Sequence, residues 1–324
     1  MPASNRPNPG QRAFPSWPDP ARPSSRRRGG PGTLLATLGA MLLGLGAWSL
    51  SARPACAAET VNVLYAGSLV NLMEHGIGPA FDKASGDTFQ GYAGGSDKLA
   101  HEIKGKLRQG DVFVSANPKV NDSLTGAANG DWVSWYVTFA ESPLVLGYNA
   151  ASKFATDFTS KPWYRVLQEP GIRIGRTDPK LDPKGRLTLQ LMKQADTAYK
   201  DPTLSQQVLG DPENPAQVLP EESLVGRLQS GQLDVGFFYS TETSDAKIPA
   251  IQLPPGITPK AVYTVTVLHD APNAAGATQF VEFLLGRQGQ TLLREHGLAA
   301  HAITLTGDHA AVPAGVRALL PKAA

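Results

Sequence analysis

The 324-residue chain has very little cysteine, and what it lacks argues against several classes of protein. Its single cysteine, Cys56, cannot form an internal disulfide. The six histidines are scattered, and none lies in the H-E-x-x-H pattern of zinc hydrolases. A phosphate-binding lysine loop, a G-x-S-x-G nucleophile elbow and an internal repeat are also missing. These absences favour a protein that is not an enzyme and that carries no cofactor.

Long apolar runs are also scarce, and the one clear example lies near the N-terminus. Residues 34–50 are apolar, a cluster of three arginines at 26–28 precedes them, and small residues follow up to position 58. This order is typical of an export signal, so residues 1–58 are predicted to be a signal peptide with an unusually long leader. Two alternatives stay open: an uncleaved membrane anchor formed by the apolar run, and a lipid anchor on Cys56.

An excess of positive charge is missing once this leader is set aside. Residues 1–58 contain seven of the 30 basic residues and one of the 28 acidic residues, which leaves 23 basic and 27 acidic residues and a net charge of −4. Such a chain has no overall electrostatic basis for binding nucleic acid. Any anion that it binds must be held by local groups.

Strand and helix patterns alternate through the rest of the chain. About 265 residues exceed the usual size of a single core, so two lobes are predicted. The alternation of the two patterns predicts an α/β fold with mainly parallel sheets.

Two strand-to-helix junctions carry small residues and a serine. Residues 61–65 have a strand pattern, and Ala66-Gly67-Ser68 turns into a helical pattern, which makes Ser68 a candidate helix N-cap. Residues 88–93 repeat the arrangement, with Gly95 and Ser96 at the turn. Helix starts offer unpaired N–H groups to an anion, and loops at the carboxyl ends of neighbouring strands converge. The two serines are therefore candidates to face one anion; the alternative is that each only caps its own helix.

The order of four segments carries a family resemblance. YAGSL, GYAGGSDKLAHEI, DVFVSAN and WYVTFAESPLVLGYN together resemble the extracytoplasmic solute-binding proteins of molybdate and tungstate ABC importers. The resemblance runs from residue 59 to the end and is most specific in its first third. It implies a two-lobed periplasmic-binding-protein fold of type II, in which each lobe is a mainly parallel sheet flanked by helices. Residues 59–142 and 268–324 would form the first lobe and 143–267 the second, with a hinge near Ser142 and the ligand in the cleft.

The resemblance also implies which residues bind the ligand. The serines of YAGSL and GYAGGS match the family's ligand-binding serines of the first lobe. The DPKG turn at 182–185 resembles the family's ligand turn of the second lobe, and VGFFYSTE contains the tyrosine that lies near the ligand in bacterial members of the family. The predicted ligand-binding residues are Ser68, Gly95, Ser96, Asp182, Lys184 and Tyr239.

One departure from the family pattern bears on the coordination of the ligand. The archaeal-type tungstate binders ligate the metal with the aspartate of this turn and with a glutamate just before the tyrosine. Here Asp182 is present, but Phe238 stands where the glutamate is expected. Because a lone carboxylate repels a dianion unless it bonds the metal itself, the sequence favours a four-coordinate oxyanion held by neutral donors, with Asp182 only a helix cap. The alternative is that Asp182 ligates the metal in an expanded shell.

The predicted function is that of a periplasmic receptor. It would capture molybdate or tungstate and deliver it to an ABC permease in the membrane, acting as a monomer and without a nucleic acid partner. The open alternatives are a receptor of the same fold for sulfate, phosphate, ferric ion or a small organic acid, and a secreted enzyme.

Overall fold

The computed structural model describes residues 58–321, so the predicted signal peptide and its possible anchors lie outside the described residues except for Ala58. Nine strands are present in this part of the chain. They are β1 (Thr60–Ala66), β2 (Thr88–Gly94), β3 (Val112–Ser115), β4 (Trp135–Tyr148), β5 (Ile174–Gly175), β6 (Val235–Tyr239), β7 (Ala250–Gln252), β8 (Lys260–Val267) and β9 (Ala299–Gly307).

Helices cover both faces of these strands. They are α1 (Val70–Leu72), α2 (Gly78–Ser85), α3 (Ser96–Lys104), α4 (Pro118–Asp122), α5 (Asp157–Ser160), α6 (Trp163–Val166), α7 (Pro183–Ala198), α8 (Leu204–Leu209), α9 (Leu224–Gln229), α10 (Ser240–Asp245), α11 (Ala274–Leu285), α12 (Arg287–Glu295) and α13 (Ala314–Leu319). Tight 3-10 turns lie at Gly67–Leu69, Ala127–Asn129 and Glu221–Ser223, and a π-helical turn lies at Met73–Ile77. In the part of the chain described, every helix is too short or too polar to cross a membrane.

The strands form two sheets that share β4. In the first sheet β1 pairs in parallel with β2 and β3, while β8 runs antiparallel between β3 and β4, and β9 runs antiparallel to β4. In the second sheet β5 and β6 are parallel, and β6 and β7 are antiparallel to β4. All residues of β3 and β6 are buried, as expected for apolar strands covered on both faces. We call the parts built around these sheets the first and second lobes.

The expectation of mainly parallel sheets needs correction, because both sheets are mixed. β8, which ends at the predicted lobe boundary between residues 267 and 268, pairs with β3 and β4 in the first sheet. The chain therefore returns to the first sheet before Lys260. The exact division of the chain into two moving lobes stays a prediction.

β4 is the strand that carries the chain from one sheet to the other. Its residues up to Pro143 pair with β8, and its residues from Leu144 pair with β6. At the change of partners, Ser142 Oγ lies 3.0 Å from Ser240 Oγ and accepts a hydrogen bond from the Thr241 N–H at 3.1 Å. The predicted hinge position therefore coincides with a buried serine that bonds the start of α10.

The C-terminal part of the described chain contains two consecutive helices. α11 and α12 are separated at Gly286. A Cβ atom at Gly286 would lie 2.9 Å from the carbonyl oxygen of Glu282, so only glycine fits this tight break. After α12, β9 pairs with β4 and α13 buries Val316.

Candidate functional site

Ser68 lies at the carboxyl end of β1, inside a tight turn. The turn Gly67–Leu69 has Ala66 at its N-cap position, and the Ser68 side chain makes no capping bond. The prediction that Ser68 caps a helix is therefore wrong. Its Oγ lies 3.1 Å from the hydroxyl of Tyr263, a buried residue of β8 that the sequence did not single out. This contact turns the serine toward the space between the two sheets.

Ser96 and Gly95 lie at the second junction, between β2 and α3. Ser96 is fully buried and its Oγ accepts a hydrogen bond from the Ala116 N–H at 3.1 Å, which leaves its own proton available to a ligand. A Cβ atom at Gly95 would lie 2.4 Å from the carbonyl oxygen of Leu181, so glycine permits close contact with the second lobe. The Lys98 N–H donates to the same carbonyl at 3.0 Å.

Asp182 begins α7 as predicted, with extended backbone at the N-cap position and Pro183 in the first turn. Its Oδ1 accepts hydrogen bonds from the Lys184 N–H and from the Thr177 hydroxyl, both at 2.8 Å. Its Oδ2 is buried and has no partner. One oxygen thus caps the helix while the other is free to bind something else.

Glu221 supplies a second carboxylate that the sequence analysis missed. Its Oε2 accepts a hydrogen bond from the Gly67 N–H at 2.8 Å, whereas its buried Oε1 has no hydrogen-bond partner. Burial and the neighbouring Asp182 carboxylate raise the pKa of Glu221 well above its ordinary value. The expectation of a lone carboxylate, drawn from Phe238, is therefore wrong: the acid comes from the turn Glu221–Ser223, 18 positions before Tyr239.

Tyr239 ends β6 beside these groups. It is fully buried, and its hydroxyl has no hydrogen-bond partner. Its ring packs edge-to-face against Tyr263, with 6.2 Å between the ring centroids. Burial, followed by the charge of Asp182, raises the pKa of Tyr239 well above its ordinary value, so the phenol keeps its proton and can donate it.

Lys184 also lies in the site, but its ammonium contacts protein groups. Nζ lies 2.8 Å from both Oε atoms of Glu242 and 3.4 Å from Oε1 of Glu221. Glu242 in turn accepts a hydrogen bond from the Tyr239 N–H at 2.7 Å. The structure thus brings all six predicted residues together, although it turns the Lys184 side chain toward two glutamates.

With this geometry in place, the family can be assigned. Residues 61–299 match the family of bacterial extracellular solute-binding proteins. The chain belongs to this family.

Individual relatives agree with this assignment. A Haloferax volcanii protein with the provisional name ABC transporter molybdenum-binding protein is 30% identical over 246 residues, which cover 74% of this chain and 73% of that protein. A Pyrococcus abyssi protein named molybdate/tungstate-binding protein is 28% identical, over 64% of this chain and 74% of that protein. The periplasmic molybdate-binding protein of Azotobacter vinelandii superposes with a TM-score of 0.58 at 20% identity, over 74% of this chain and 98% of that chain. The predicted type II periplasmic-binding-protein fold is confirmed.

Two cavities of this solute-binding protein flank Glu221. One of about 300 Å³ is lined on one side by Gly95 and Lys98 and on the other by Asp182. The second, of about 230 Å³, is lined by Ser68 and Glu242. Glu221 therefore lies between two spaces that residues of both lobes line.

Chemically, the site combines donors with acceptors that lack partners. The hydroxyls of Ser68, Ser96 and Tyr239 can each donate a hydrogen bond to an oxyanion. The unpartnered oxygens of Asp182 and Glu221 cannot bond each other unless one carries a proton, since both are acceptors when ionised. A ligand with oxygens that accept hydrogen bonds and a central atom that accepts carboxylate oxygens would bond all three hydroxyls and both carboxylates.

Proposed function

We propose that this solute-binding protein binds molybdate or tungstate between its two lobes. Two of the relatives bear names that state molybdenum, or molybdate and tungstate, as the bound solute. The observation that carries the proposal is a group of three neighbouring buried polar atoms that make no hydrogen bond: Asp182 Oδ2, Glu221 Oε1 and the Tyr239 hydroxyl. Glu221 Oε1 has only the longer contact of 3.4 Å with Lys184 Nζ. Buried polar atoms are nearly always hydrogen-bonded, so three such atoms close together favour a ligand at this place.

The two carboxylates decide how such a ligand would be held. The site contains three acidic side chains, Asp182, Glu221 and Glu242, but only one ammonium, that of Lys184. A dianion that lies beside these carboxylates without bonding them would therefore be repelled. A carboxylate that bonds the metal directly is attracted to the metal, and this attraction offsets the repulsion by the oxygens of the anion. We therefore propose an expanded, six-oxygen shell in which Asp182 and Glu221 join the four oxygens of the anion, in place of the four-coordinate anion favoured by the sequence. This arrangement is similar to the two-carboxylate pattern of the archaeal-type tungstate binders.

The remaining parts of the function follow from the family. We propose that residues 1–58 direct the protein to the periplasm, and that it acts there as a monomer, delivering the anion to an ABC permease in the membrane. The provisional name of the Haloferax volcanii relative includes such a transporter.

Calorimetry tests the proposal directly. Titration of the ligand-free protein with molybdate and tungstate should show tight 1:1 binding, and sulfate or ferric citrate should bind far more weakly. Tight binding of ferric citrate or sulfate alone would replace this proposal with a different solute.

The first prediction concerns Ser96, whose proton is available to the ligand. Ser96→Ala should weaken molybdate binding by about 1 to 3 kcal/mol, the range for a hydrogen bond to a charged partner. Ser160→Ala is the matched control, because Ser160 is exposed and bonds only the carbonyl of Thr156. Equal affinity in Ser96→Ala and the control would remove Ser96 from the site.

A further inference from the structure

Lys184 is a fully buried cation surrounded by acidic side chains. Its side chain has no exposed surface, and its ammonium makes close contacts with Glu242 on both oxygens and with Glu221 on one. A buried ammonium in this position is held by ion pairs with acidic side chains and not by water.

This residue is connected to all three groups that lack a partner. Its backbone N–H donates to Asp182 Oδ1 at 2.8 Å, and its Nζ lies 3.4 Å from Glu221 Oε1. Through Glu242, which accepts the Tyr239 N–H at 2.7 Å, it is also tied to the end of β6. Asp182 Oδ2, Glu221 Oε1 and the Tyr239 hydroxyl are the atoms of these same residues that make no hydrogen bond.

The three groups come from separate segments of the second lobe. Asp182 precedes α7, Glu221 opens the 3-10 turn at Glu221–Ser223, and Tyr239 precedes α10. Groups on separate loops keep a fixed spacing only when other residues lock them in place. Lys184 is well placed to do this, because its backbone N–H bonds Asp182, its ammonium contacts Glu221, and Glu242 connects it to Tyr239.

We propose that Lys184 is a positioning residue, which fixes Asp182, Glu221 and Tyr239 relative to one another and thereby sets the affinity and selectivity of the oxyanion site. This inference rests on the proposed function. It replaces direct ligand binding, the role first predicted for Lys184, with an indirect one. Selectivity follows because two fixed carboxylates suit an anion whose central metal accepts extra ligands, which the sulfur of sulfate does not.

A charge-balanced variant separates positioning from simple charge loss. Lys184→Met alone would leave three buried carboxylates without a cation and would destabilise the fold. The double variant Lys184→Met/Glu242→Gln removes one cation and one anion together and keeps side chains of similar length. It leaves the backbone bond from residue 184 to Asp182 in place, so it tests the hold on Glu221 and Tyr239. Lys193→Met is the control, since Lys193 lies on the same helix with 78% of its side chain exposed.

The test combines calorimetry with X-ray absorption at the molybdenum edge. The double variant should bind molybdate about 10- to 100-fold more weakly, the usual effect of losing a group that orients metal ligands, and should lose much of its preference over sulfate. The number of oxygens around the bound metal should fall below that of the wild-type protein. The control should match the wild type in all three measurements, and thermal unfolding should remain cooperative in both variants.

The possible results distinguish a failure of the role of Lys184 from a failure of the proposed function. A wild-type protein that binds molybdate and a double variant with the same affinity, preference and oxygen shell would overturn the role of Lys184 alone. A wild-type protein that binds neither molybdate nor tungstate would overturn the proposed function and this inference with it. If the double variant does not fold, Glu242→Gln carries the test: weaker molybdate binding with a changed oxygen shell is expected, and unchanged values overturn the inference.

Discussion

Glu221 is the residue on which the coordination of the ligand depends. Glu221→Gln would keep an oxygen that can accept the Gly67 N–H, while it removes the charge and weakens any bond to a metal. If the carboxylate ligates the metal, molybdate affinity should fall by about 10- to 100-fold and the shell should lose an oxygen. If the carboxylate only lies near the dianion, removal of the charge should strengthen binding.

The sign of the change therefore separates the two coordination models, and calorimetry measures it. Glu213→Gln is the matched control, because Glu213 is an exposed glutamate of the same lobe that lines neither cavity. Tighter binding by Glu221→Gln would contradict the six-oxygen shell and restore the four-coordinate one.

Among single residues, those whose position in the site depends on local structure could be predicted from the sequence. Gly95, Ser96 and Asp182 lie at strand-to-helix or loop-to-helix junctions that short patterns identify. Glu221 and Tyr263 could not be found in this way, because they meet Gly67 and Ser68 across 154 and 195 positions of the sequence. The only local hint for Glu221 is a pair of glutamates after Pro220 at the start of a helical pattern.

At the scale of elements, an ion pair holds the beginnings of β5 and β6 together. Asp234 accepts hydrogen bonds at 2.9 Å from the backbone N–H, Nε and Nη2 of Arg173, and at 2.8 Å from the Ser152 hydroxyl. Despite the opposing effect of burial, these bonds lower the pKa of Asp234 to about 2. An ordinary aspartate has a pKa near 3.9, so the difference corresponds to about 2 to 3 kcal/mol of stability at neutral pH.

Asp234→Asn should accordingly lower the free energy of unfolding by about 2 kcal/mol at pH 7. Because the pKa is lower in the folded state, this contribution is complete above the unfolded pKa and is lost as the pH falls through the folded one. The gap between the variant and the wild type should thus narrow from about pH 5 toward pH 2 in urea unfolding experiments. Asp157→Asn, which breaks a more exposed pair with Lys161, is the control; a gap that stays constant with pH would contradict the assignment.

Elements with a strong local pattern were predicted better than those defined by their partners. The helix α7 has both a capping aspartate and a first-turn proline, and the structure begins it at the predicted residue. β9 was missed because it is an edge strand whose only partner in the described residues is β4, more than 150 positions earlier. The mixed direction of the sheets has the same cause, since β8 enters between β3 and β4 from a distant part of the chain.

At the scale of the whole molecule, three polar contacts join the lobes around the site. Glu221 reaches the Gly67 N–H, Leu181 accepts the Lys98 N–H, and Arg186 Nη1 lies 2.7 Å from Asp97 Oδ2. These contacts describe a closed arrangement. In proteins that close on a ligand by hinge motion, such contacts form only after the lobes meet.

The Asp97–Arg186 pair is the contact that can be removed without touching the proposed ligand groups. Its side chains are 21% and 39% exposed, so the pair should contribute only about 0.2 to 1 kcal/mol to the closed state. Asp97→Asn should therefore speed dissociation of molybdate by about two- to five-fold, because an open cleft releases the ligand. Association should stay the same, since the pair forms after the ligand has entered. High salt should shrink the difference between variant and wild type, because it screens the pair.

Stopped-flow measurement of both rates checks this prediction, and Lys180→Gln serves as the control. That change breaks an ion pair of 2.6 Å with Glu213 inside the second lobe, where both side chains are well exposed, so neither rate should change. If Asp97→Asn slows association and leaves dissociation unchanged, the pair attracts the incoming anion instead of holding the lobes closed. If both rates match the wild type even at low salt, the closed arrangement depends on the other contacts between the lobes, which include those of the Gly67 and Lys98 backbones.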